Sequence, residues 1–239
     1  MQIVITMAGL GSRFRSVGFT VPKYMIEVNG KSLLHWSLLS LDDFKGSEYY
    51  FIVRKEDRAK AYVSRCCSAI GIKSFTIIEI DYLTSGQAET VLFAQEYWDN
   101  SDELLIYNID TYVEPGYILS STLKGDGFIP CFNGVGDHWS FVELDESGKA
   151  CKVTEKVRIS NNCTIGAYYF KTCSLYSQLY QSYYESNQMS CYPEKYVAPL
   201  YNQLIGDGGS VFISLIPSNR VHVLGTPEEV IEFQNKITV

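Results

Sequence analysis

The sequence lacks an excess of positive charge. Its 239 residues include 20 lysines and arginines against 27 aspartates and glutamates, which gives a formal net charge of −7. A chain with this balance has no general attraction for nucleic acid or anionic lipid. We therefore expect neither nucleic acid nor a membrane as a partner, and any anionic ligand must be attracted by cations placed locally.

Long apolar runs and paired cysteine motifs are also missing. No uninterrupted apolar stretch approaches the ~18 residues that a membrane span needs. None of the seven cysteines stands in a C-x-x-C spacing, and the adjacent Cys66 and Cys67 would make a strained disulfide and poor joint metal ligands. This usage is typical of free thiols in a reducing compartment, so we expect a soluble, cytoplasmic protein.

Apolar β-branched runs alternate with amphipathic segments through the first half of the chain. Strands are predicted over 2–7, 49–53, 75–80 and 104–109, and helices over 31–41, 55–70 and 86–98. The second half predicts a β-hairpin over 139–155, strands over 164–170 and 211–215, two helices within 173–205 broken near Pro193, and a last helix from Thr226. This order predicts a Rossmann-like three-layer α/β/α fold, with a mostly parallel mixed sheet and an added hairpin, in one domain over 1–239.

A glycine-rich loop follows the first predicted strand. Residues 8–14 are AGLGSRF, and Pro22-Lys23 come shortly after them. Glycines let the main chain approach an anion, and successive N–H groups form an anion nest. Arg13 and Lys23 add two cations there, so the loop predicts a polyphosphate site. An ordinary tight turn is the plainer alternative.

Phe14 separates this loop from the dinucleotide-binding fingerprint. That fingerprint has a third glycine at the position of Phe14, where it permits close packing of helix on strand. The bulky side chain therefore disfavours a nicotinamide-dependent oxidoreductase.

Further polar groups follow other predicted strands. Ligands of parallel sheets bind beyond the carboxyl ends of the strands, so the loops 8–23, 81–87 and 110–113 should converge on one crevice. Asp110 closes a strand and suits Mg²⁺, although an aspartate there can also cap a turn. The stretch around Gly86 and Gln87 suits a flat base, but taken alone it is better explained by an ordinary helix start capped by Ser85.

These motifs, in this order, resemble the sugar-phosphate nucleotidylyltransferases, or nucleoside-diphosphate-sugar pyrophosphorylases, including relatives that form CDP-linked alcohols. The resemblance covers nearly the whole chain. Its motifs are the loop at 8–13 with Pro22-Lys23, the stretch 86–88, Asp110, Glu155-Lys156, and the segments 166–170 and 224–228. It implies an enzyme that transfers a nucleoside monophosphate from a nucleoside triphosphate to a phosphorylated sugar or alcohol, releases pyrophosphate, and supplies nucleotide-sugar or polysaccharide precursors.

The resemblance also implies roles for individual residues. The nucleotide would bind to Ala8, Gly9, Gly11, Ser12, Arg13, Gly86 and Gln87. The acceptor phosphate would bind near Glu155, Lys156 and Gly166. Arg13, Lys23 and Asp110 would be catalytic, with Lys23 at the α-phosphate and Asp110 on Mg²⁺.

One position departs from the family pattern. Members usually carry a second metal-binding aspartate two residues before the late Gly-Thr, and this chain has Val223 there. Glu194 or Asp207 could substitute, or the chain could be a catalytically weak nucleotide-binding or regulatory relative. Nothing in residues 81–90 selects among CTP, UTP, TTP and GTP. The tyrosine-rich segment 168–201 fits an acceptor site, a homo-oligomer interface or the core.

Overall fold

The computed structural model describes residues 1–186 and 194–237. Within these ranges the strands, in chain order, are β1 (Gln2–Thr6), β2 (Glu27–Val28), β3 (Lys31–Ser32), β4 (Glu48–Arg54), β5 (Phe75–Ile80), β6 (Leu104–Tyr107), β7 (Thr111–Val113), β8 (Gly127–Asn133), β9 (Ser140–Leu144), β10 (Ala150–Glu155), β11 (Asn162–Thr164), β12 (Ala167–Phe170), β13 (Val211–Ile216) and β14 (Val221–Val223). The α-helices are α1 (Ser12–Arg15), α2 (Leu33–Leu39), α3 (Lys60–Ile70), α4 (Gln87–Val91), α5 (Cys173–Tyr180), α6 (Leu200–Gly206) and α7 (Pro227–Ile237).

Ten of the described strands form one mixed sheet. Its order is β10-β9-β11-β8-β12-β6-β1-β4-β5, and β13 also pairs with β8. The strands β6, β1, β4 and β5 are mutually parallel, whereas β12 runs antiparallel to β6. The parallel strands bring their carboxyl ends to one edge of the sheet. This arrangement confirms the predicted Rossmann-like fold.

Both faces of the sheet are covered, because alternate residues of each strand point to opposite sides. Ile3 and Ile5 of β1 belong to an apolar cluster that also contains residues of α2 and α3. Val4, between them, belongs to a second cluster that contains residues of α4, α5 and α6. Burial on both faces explains why these strands read as continuous apolar runs.

The sequence prediction misses β8, although this strand lies well inside the sheet. β8 pairs with β11, β12 and β13. Its run begins at Gly127 and contains Pro130, and both residue types weaken a strand pattern. Pairing on both sides therefore outweighs the local preference. The short β14 is missed as well, since three residues carry too little pattern.

Three predicted helices are shorter than expected. The helix predicted over 31–41 covers only Leu33–Leu39, because Lys31–Ser32 form β3. Lys55–Asp57 form a 3-10 turn, Arg58 has a left-handed φ of 48°, and α3 begins only at Lys60. α4 ends at Val91 and continues as a further 3-10 turn. The helix break predicted near Pro193 lies outside the described residues.

The cysteines and the apolar helices were both subjects of sequence expectations. The described cysteines are free thiols, and all of them except Cys151 are buried. Cys191 falls outside the described ranges. Among the helices of residues 1–186 and 194–237, none is both long and apolar enough to cross a bilayer.

The start of α5 depends on Thr172, whose hydroxyl accepts a hydrogen bond from the Leu175 N–H at 3.1 Å. We expect Thr172→Ala to lower the free energy of unfolding by about 1 kcal/mol, because an N–H of the first turn loses its partner. Urea denaturation measures this change. Thr172→Ser is the control, since it keeps the hydroxyl; an equal loss in both variants would contradict the capping role.

Candidate active site

The loops beyond the parallel strands surround a cavity of about 740 Å³. Residues from all three loops that the sequence predicted to converge line this cavity. Of the site residues predicted from the sequence, those that line it are Ala8, Gly9, Gly11, Ser12, Arg13, Lys23, Gly86, Gln87, Asp110, Glu155 and Gly166. Lys156 is not part of the lining.

The glycine loop has a geometric need for glycine at position 11. Gly11 has a left-handed φ of 62°, and a Cβ added there would lie 3.2 Å from the Cβ of Lys23. Phe14, only 1% exposed, anchors the loop in an apolar cluster. Arg13 is exposed beside the cavity, and within the described ranges its guanidinium makes no hydrogen bond or ion pair. This loop therefore presents main-chain N–H groups and one available cation.

Lys23 and Asp110 are in direct contact. The Lys23 Nζ lies 2.7 Å from Asp110 Oδ2 and 3.4 Å from the carbonyl oxygen of Gly225. The Asp110 carbonyl oxygen accepts a hydrogen bond from the Leu224 N–H at 2.7 Å. Because both side chains are partly buried, at 17% and 31% exposure, solvent screens their attraction only in part. A cation and a carboxylate are thus held together at the cavity wall.

Asp110 does not directly end its strand, as the sequence suggested. β6 ends at Tyr107, and Asp110 lies in the turn that leads to β7. The first residue of this turn is Asn108, whose N–H donates to the carbonyl oxygen of Gly166 at 3.0 Å. This bond continues the antiparallel pairing of β6 with β12 for one residue beyond the end of β6.

Asn108 is a lining residue that sequence reasoning missed. Its Oδ1 accepts a hydrogen bond from Gln87 Nε2 at 2.5 Å, and the same Nε2 lies 3.3 Å from the hydroxyl oxygen of Thr6. Gly166 has a φ of 79°, and a Cβ added there would overlap the Asn108 amide. The signal available in the sequence was a polar residue directly after an apolar strand. Gln87 is therefore held in place by protein contacts.

The loop before α4 is shaped by the segment that packs on it. Gly86 has a φ of 147°, and a Cβ there would lie 2.6 Å from both the nitrogen and the carbonyl oxygen of Lys195. The Ser85 hydroxyl is not the helix cap; instead, the Ser85 N–H donates to Glu89 Oε2 at 2.7 Å. Only glycine fits at position 86.

The other end of the cavity is rich in hydroxyl groups around one carboxylate. Glu155, 7% exposed, accepts a hydrogen bond from the Ser140 hydroxyl. The Tyr168 hydroxyl lies 3.5 Å from that of Ser140 and 3.2 Å from that of Thr164. Burial raises the pKa of Glu155 above its usual value, against the opposing effects of Ser140 and the neighbouring Lys156. This set of groups suits a ligand with hydroxyl groups.

Lys156 is exposed and lies outside the lining, although it directly follows Glu155. Its Nζ donates a hydrogen bond to the Tyr196 hydroxyl at 2.6 Å, and this bond is the main reason that the pKa of Lys156 is raised. Tyr196 itself lines the cavity. Lys156, which was predicted to bind the acceptor phosphate, therefore contacts a lining residue without lining the cavity itself.

The metal ligands available here are few. Asp110 lines the cavity, and Val223, also in the lining, offers no ligand atom. The residues that the structure describes contain no cluster of three or more metal-ligating side chains. Mg²⁺ typically binds through one or two carboxylates together with substrate phosphates and water. The donor set therefore fits an ion that a triphosphate also holds.

Three other carboxylates were compared as substitutes for the second metal-binding aspartate, whose position Val223 occupies. Asp207 accepts a hydrogen bond from Gln203 at the end of α6 and does not line the cavity, so that suggested substitute is wrong. Glu194 and Glu229 do line it. A Cβ added to Gly225 would lie 3.3 Å from Glu229 Oε2 and 3.6 Å from Asp110 Oδ2. Glu229, however, also accepts the Thr226 N–H at 2.8 Å in the cap of α7.

Solved structures share this fold over almost their full length. The nucleoside-diphosphate-sugar pyrophosphorylase of Vibrio cholerae RC9 is 34% identical with a TM-score of 0.91, covering 98% of this chain and 99% of that one. The inositol-1-phosphate CTP transferase of T. maritima is 17% identical (TM-score 0.79; 99% and 95% covered). A putative glucose-1-phosphate thymidylyltransferase of Bacillus anthracis is 16% identical (TM-score 0.78; 99% and 94% covered). No protein-family model and no curated protein matches the sequence.

The fold is that of an α/β nucleotidyltransferase. Identity of 34% over nearly both whole chains shows that this chain belongs to the sugar-phosphate nucleotidylyltransferase family, the nucleoside-diphosphate-sugar pyrophosphorylases. The resemblance drawn from the sequence is confirmed, and the protein is an enzyme of this class.

The raised pKa of Glu155 predicts a pH-dependent stability. The folded state binds this proton more tightly than the unfolded chain, so wild-type stability falls as pH rises from the unfolded pKa through the folded one. Glu155→Gln cannot titrate there, so its free energy of unfolding should increase relative to that of the wild type as the pH rises above about 4. Urea denaturation across pH measures the difference. Glu143→Gln, on the exposed side of β9, controls for loss of a surface charge, and a pH-independent difference for Glu155→Gln would contradict the assignment.

Proposed function

We propose that this enzyme joins a nucleoside triphosphate to a sugar 1-phosphate or a phosphorylated alcohol with release of pyrophosphate, and that it supplies nucleotide-sugar or polysaccharide precursors in the cytoplasm. The observation that carries the proposal is the direct contact of Lys23 with Asp110 in the cavity that the glycine loop lines. Two anions must meet for this reaction, and here local cations counter the negative charge of the chain.

The names of the related structures support the acceptor class. One is called an inositol-1-phosphate transferase and another a glucose-1-phosphate transferase, and both names denote a phosphate ester of a hydroxyl-rich ring. The hydroxyl groups around Glu155 suit such a ring, since each can donate or accept a hydrogen bond. The two names differ in the nucleotide, since one names CTP and the other a thymidylyl group. CTP, UTP, TTP and GTP therefore all stay candidates.

In the proposed reaction an oxygen of the acceptor phosphate attacks the α-phosphorus in line. A bond forms between that oxygen and phosphorus, the bond to the β-phosphate oxygen breaks, and pyrophosphate leaves. Main-chain N–H groups of the glycine loop and the Arg13 guanidinium bind the outer phosphates. Lys23 neutralises charge on the α-phosphate. Catalysis then depends on positioning and electrostatic stabilisation, with no covalent intermediate.

Asp110 would hold Mg²⁺ together with oxygens of the triphosphate. The bound ion would supply positive charge to the reacting phosphates. Lys23, now paired with Asp110, would have its ammonium beside the α-phosphate. Gly86 and Gln87 would contact the base, and Glu155, Lys156 and Gly166 would form the acceptor end.

Val223 favours a second candidate function. With an apolar side chain at the position of the family's second aspartate, the chain could bind nucleotides without fast turnover, as a regulatory relative. Pyrophosphate release separates the two functions. Each of the triphosphates CTP, UTP, dTTP and GTP is paired with each of three acceptors in the presence of Mg²⁺. The acceptors are glucose 1-phosphate, mannose 1-phosphate and inositol 1-phosphate. Turnover of one pair supports the enzyme; tight nucleotide binding without turnover of any pair supports the regulatory relative.

Asp110→Asn should abolish pyrophosphate release while the fold survives. The amide keeps the shape of the side chain but loses the charge that attracts Mg²⁺, and the main-chain bond to Leu224 is unaffected. Steady-state turnover with Mg²⁺ and a urea denaturation curve measure the two effects. Near-normal rates in this variant would disprove the metal assignment.

Lys23→Ala should reduce kcat more than nucleotide affinity. A cation that acts on charge developing in the transition state contributes to the rate, and its loss typically costs about 100-fold or more. Nucleotide affinity by calorimetry and kcat from turnover separate the two terms. Lys73→Ala removes an exposed lysine of the surface and serves as the control. Weakened binding with an unchanged kcat would contradict the role.

A further inference from the structure

The segment 194–197 forms part of one wall of the cavity. Glu194, Tyr196 and Val197 all line the cavity. Tyr196 lies between the two ends of the site, since it contacts Lys156 beyond the hairpin while its neighbour Lys195 contacts the loop before α4. The segment therefore touches both the proposed base loop and the proposed acceptor end.

The main chain of Lys195 anchors the segment to the base loop. Its N–H donates to the Ser85 carbonyl oxygen at 2.8 Å, and its carbonyl oxygen accepts the Ala88 N–H at 2.9 Å. Gly86, between these partners, leaves no space for a Cβ. The Lys195 Nζ donates to the Tyr180 hydroxyl at 2.8 Å. These bonds hold the segment in one position against the loop.

Tyr196 contacts Lys156 in two ways. Its hydroxyl oxygen accepts a hydrogen bond from the Lys156 Nζ at 2.6 Å, and the same ammonium lies 4.6 Å from the centre of its ring. Burial and the neighbouring Glu194 carboxylate raise the pKa of this hydroxyl. The Tyr184 hydroxyl donates to the Tyr196 carbonyl oxygen at 2.6 Å and fixes the backbone. An exposed lysine is thus restricted to a narrow range of positions beside the cavity.

We propose that Tyr196 is a positioning residue for the acceptor phosphate. Its hydroxyl holds the Lys156 ammonium beside the cavity, and the acceptor phosphate replaces this hydroxyl as the partner of the ammonium when it binds. The inference rests on the proposed function, because it assumes an acceptor that carries a phosphate. A free lysine on the surface loses rotamer freedom when it binds a ligand, and a lysine already held loses less. Since the segment is anchored to the base loop, the same contacts keep the acceptor end in register with the nucleotide.

Tyr196→Phe tests the proposal, because it removes the hydroxyl and keeps the ring. We expect the KM of the acceptor to rise about fivefold, as for loss of one ordinary hydrogen bond, because the ammonium itself stays in the variant. The kcat and the KM of the nucleotide should stay within about twofold. The acceptor is the one of the panel above with the highest kcat/KM. Tyr97→Phe, which removes the hydroxyl of a tyrosine 53% exposed on the surface, is the matched control.

A double-mutant cycle separates positioning from a general effect on the fold. Once Lys156→Met has removed the ammonium, Tyr196→Phe should have no further effect on the acceptor KM, because the two residues act through one contact. Calorimetric titration with inorganic phosphate measures the same contact without turnover. Its Kd should rise strongly in Lys156→Met and about fivefold in Tyr196→Phe.

The outcomes distinguish this inference from the proposed function. Absence of pyrophosphate release by the wild-type enzyme with every pair of the panel would overturn the proposed function, while phosphate titration still tests the contact. Unchanged phosphate affinity and acceptor KM in Tyr196→Phe would overturn the positioning role. Additive effects of the two substitutions, or an acceptor KM that falls, would overturn it as well.

Discussion

The ion pair between Lys23 and Asp110 is the interaction on which the site depends. The two residues are far apart in the chain, but β1 and β6 are adjacent and parallel, so the segments after them leave the sheet at the same edge. Gly11 gives the Lys23 side chain room to reach this edge. At 2.7 Å the ammonium and carboxylate offset each other's charge, which allows both to lie in a partly buried place.

Close approaches of backbone to side chain organise the rest of the cavity. Gly86 allows the main chain of Lys195 to bond to the base loop, and Gly166 allows the Asn108 amide to lie against it. Asn108 in turn accepts a hydrogen bond from Gln87. Hydrogen bonds therefore connect these segments around the cavity, and glycine is required where two of them meet.

Much of the fold was predictable, because the parallel strands are buried on both faces and their apolar runs are plain. The strand β8 was not predicted, since Gly127 and Pro130 contradict the local pattern and only pairing with three other strands stabilises it. In the site, the glycine loop, Arg13, Lys23 and Asp110 were found because each has a chemical reason visible in a few neighbouring residues. Asn108 was missed because the predicted strand 104–109 included it, whereas β6 ends at Tyr107. Tyr196 was missed because an isolated polar residue has no such local signature.

The sequence by itself determined the α/β alternation, the glycine-rich loop, the cations close to it and the apolar residue Val223 in place of a carboxylate. These follow from residue type and short spacing, which act through the backbone of a few residues. Only the tertiary structure decided that Lys23 contacts Asp110, that Lys156 lies outside the cavity lining and contacts Tyr196, and that Asp207 does not line the cavity. Such contacts depend on the order and direction of strands in the sheet, and neighbouring residues in the chain carry no information about that order.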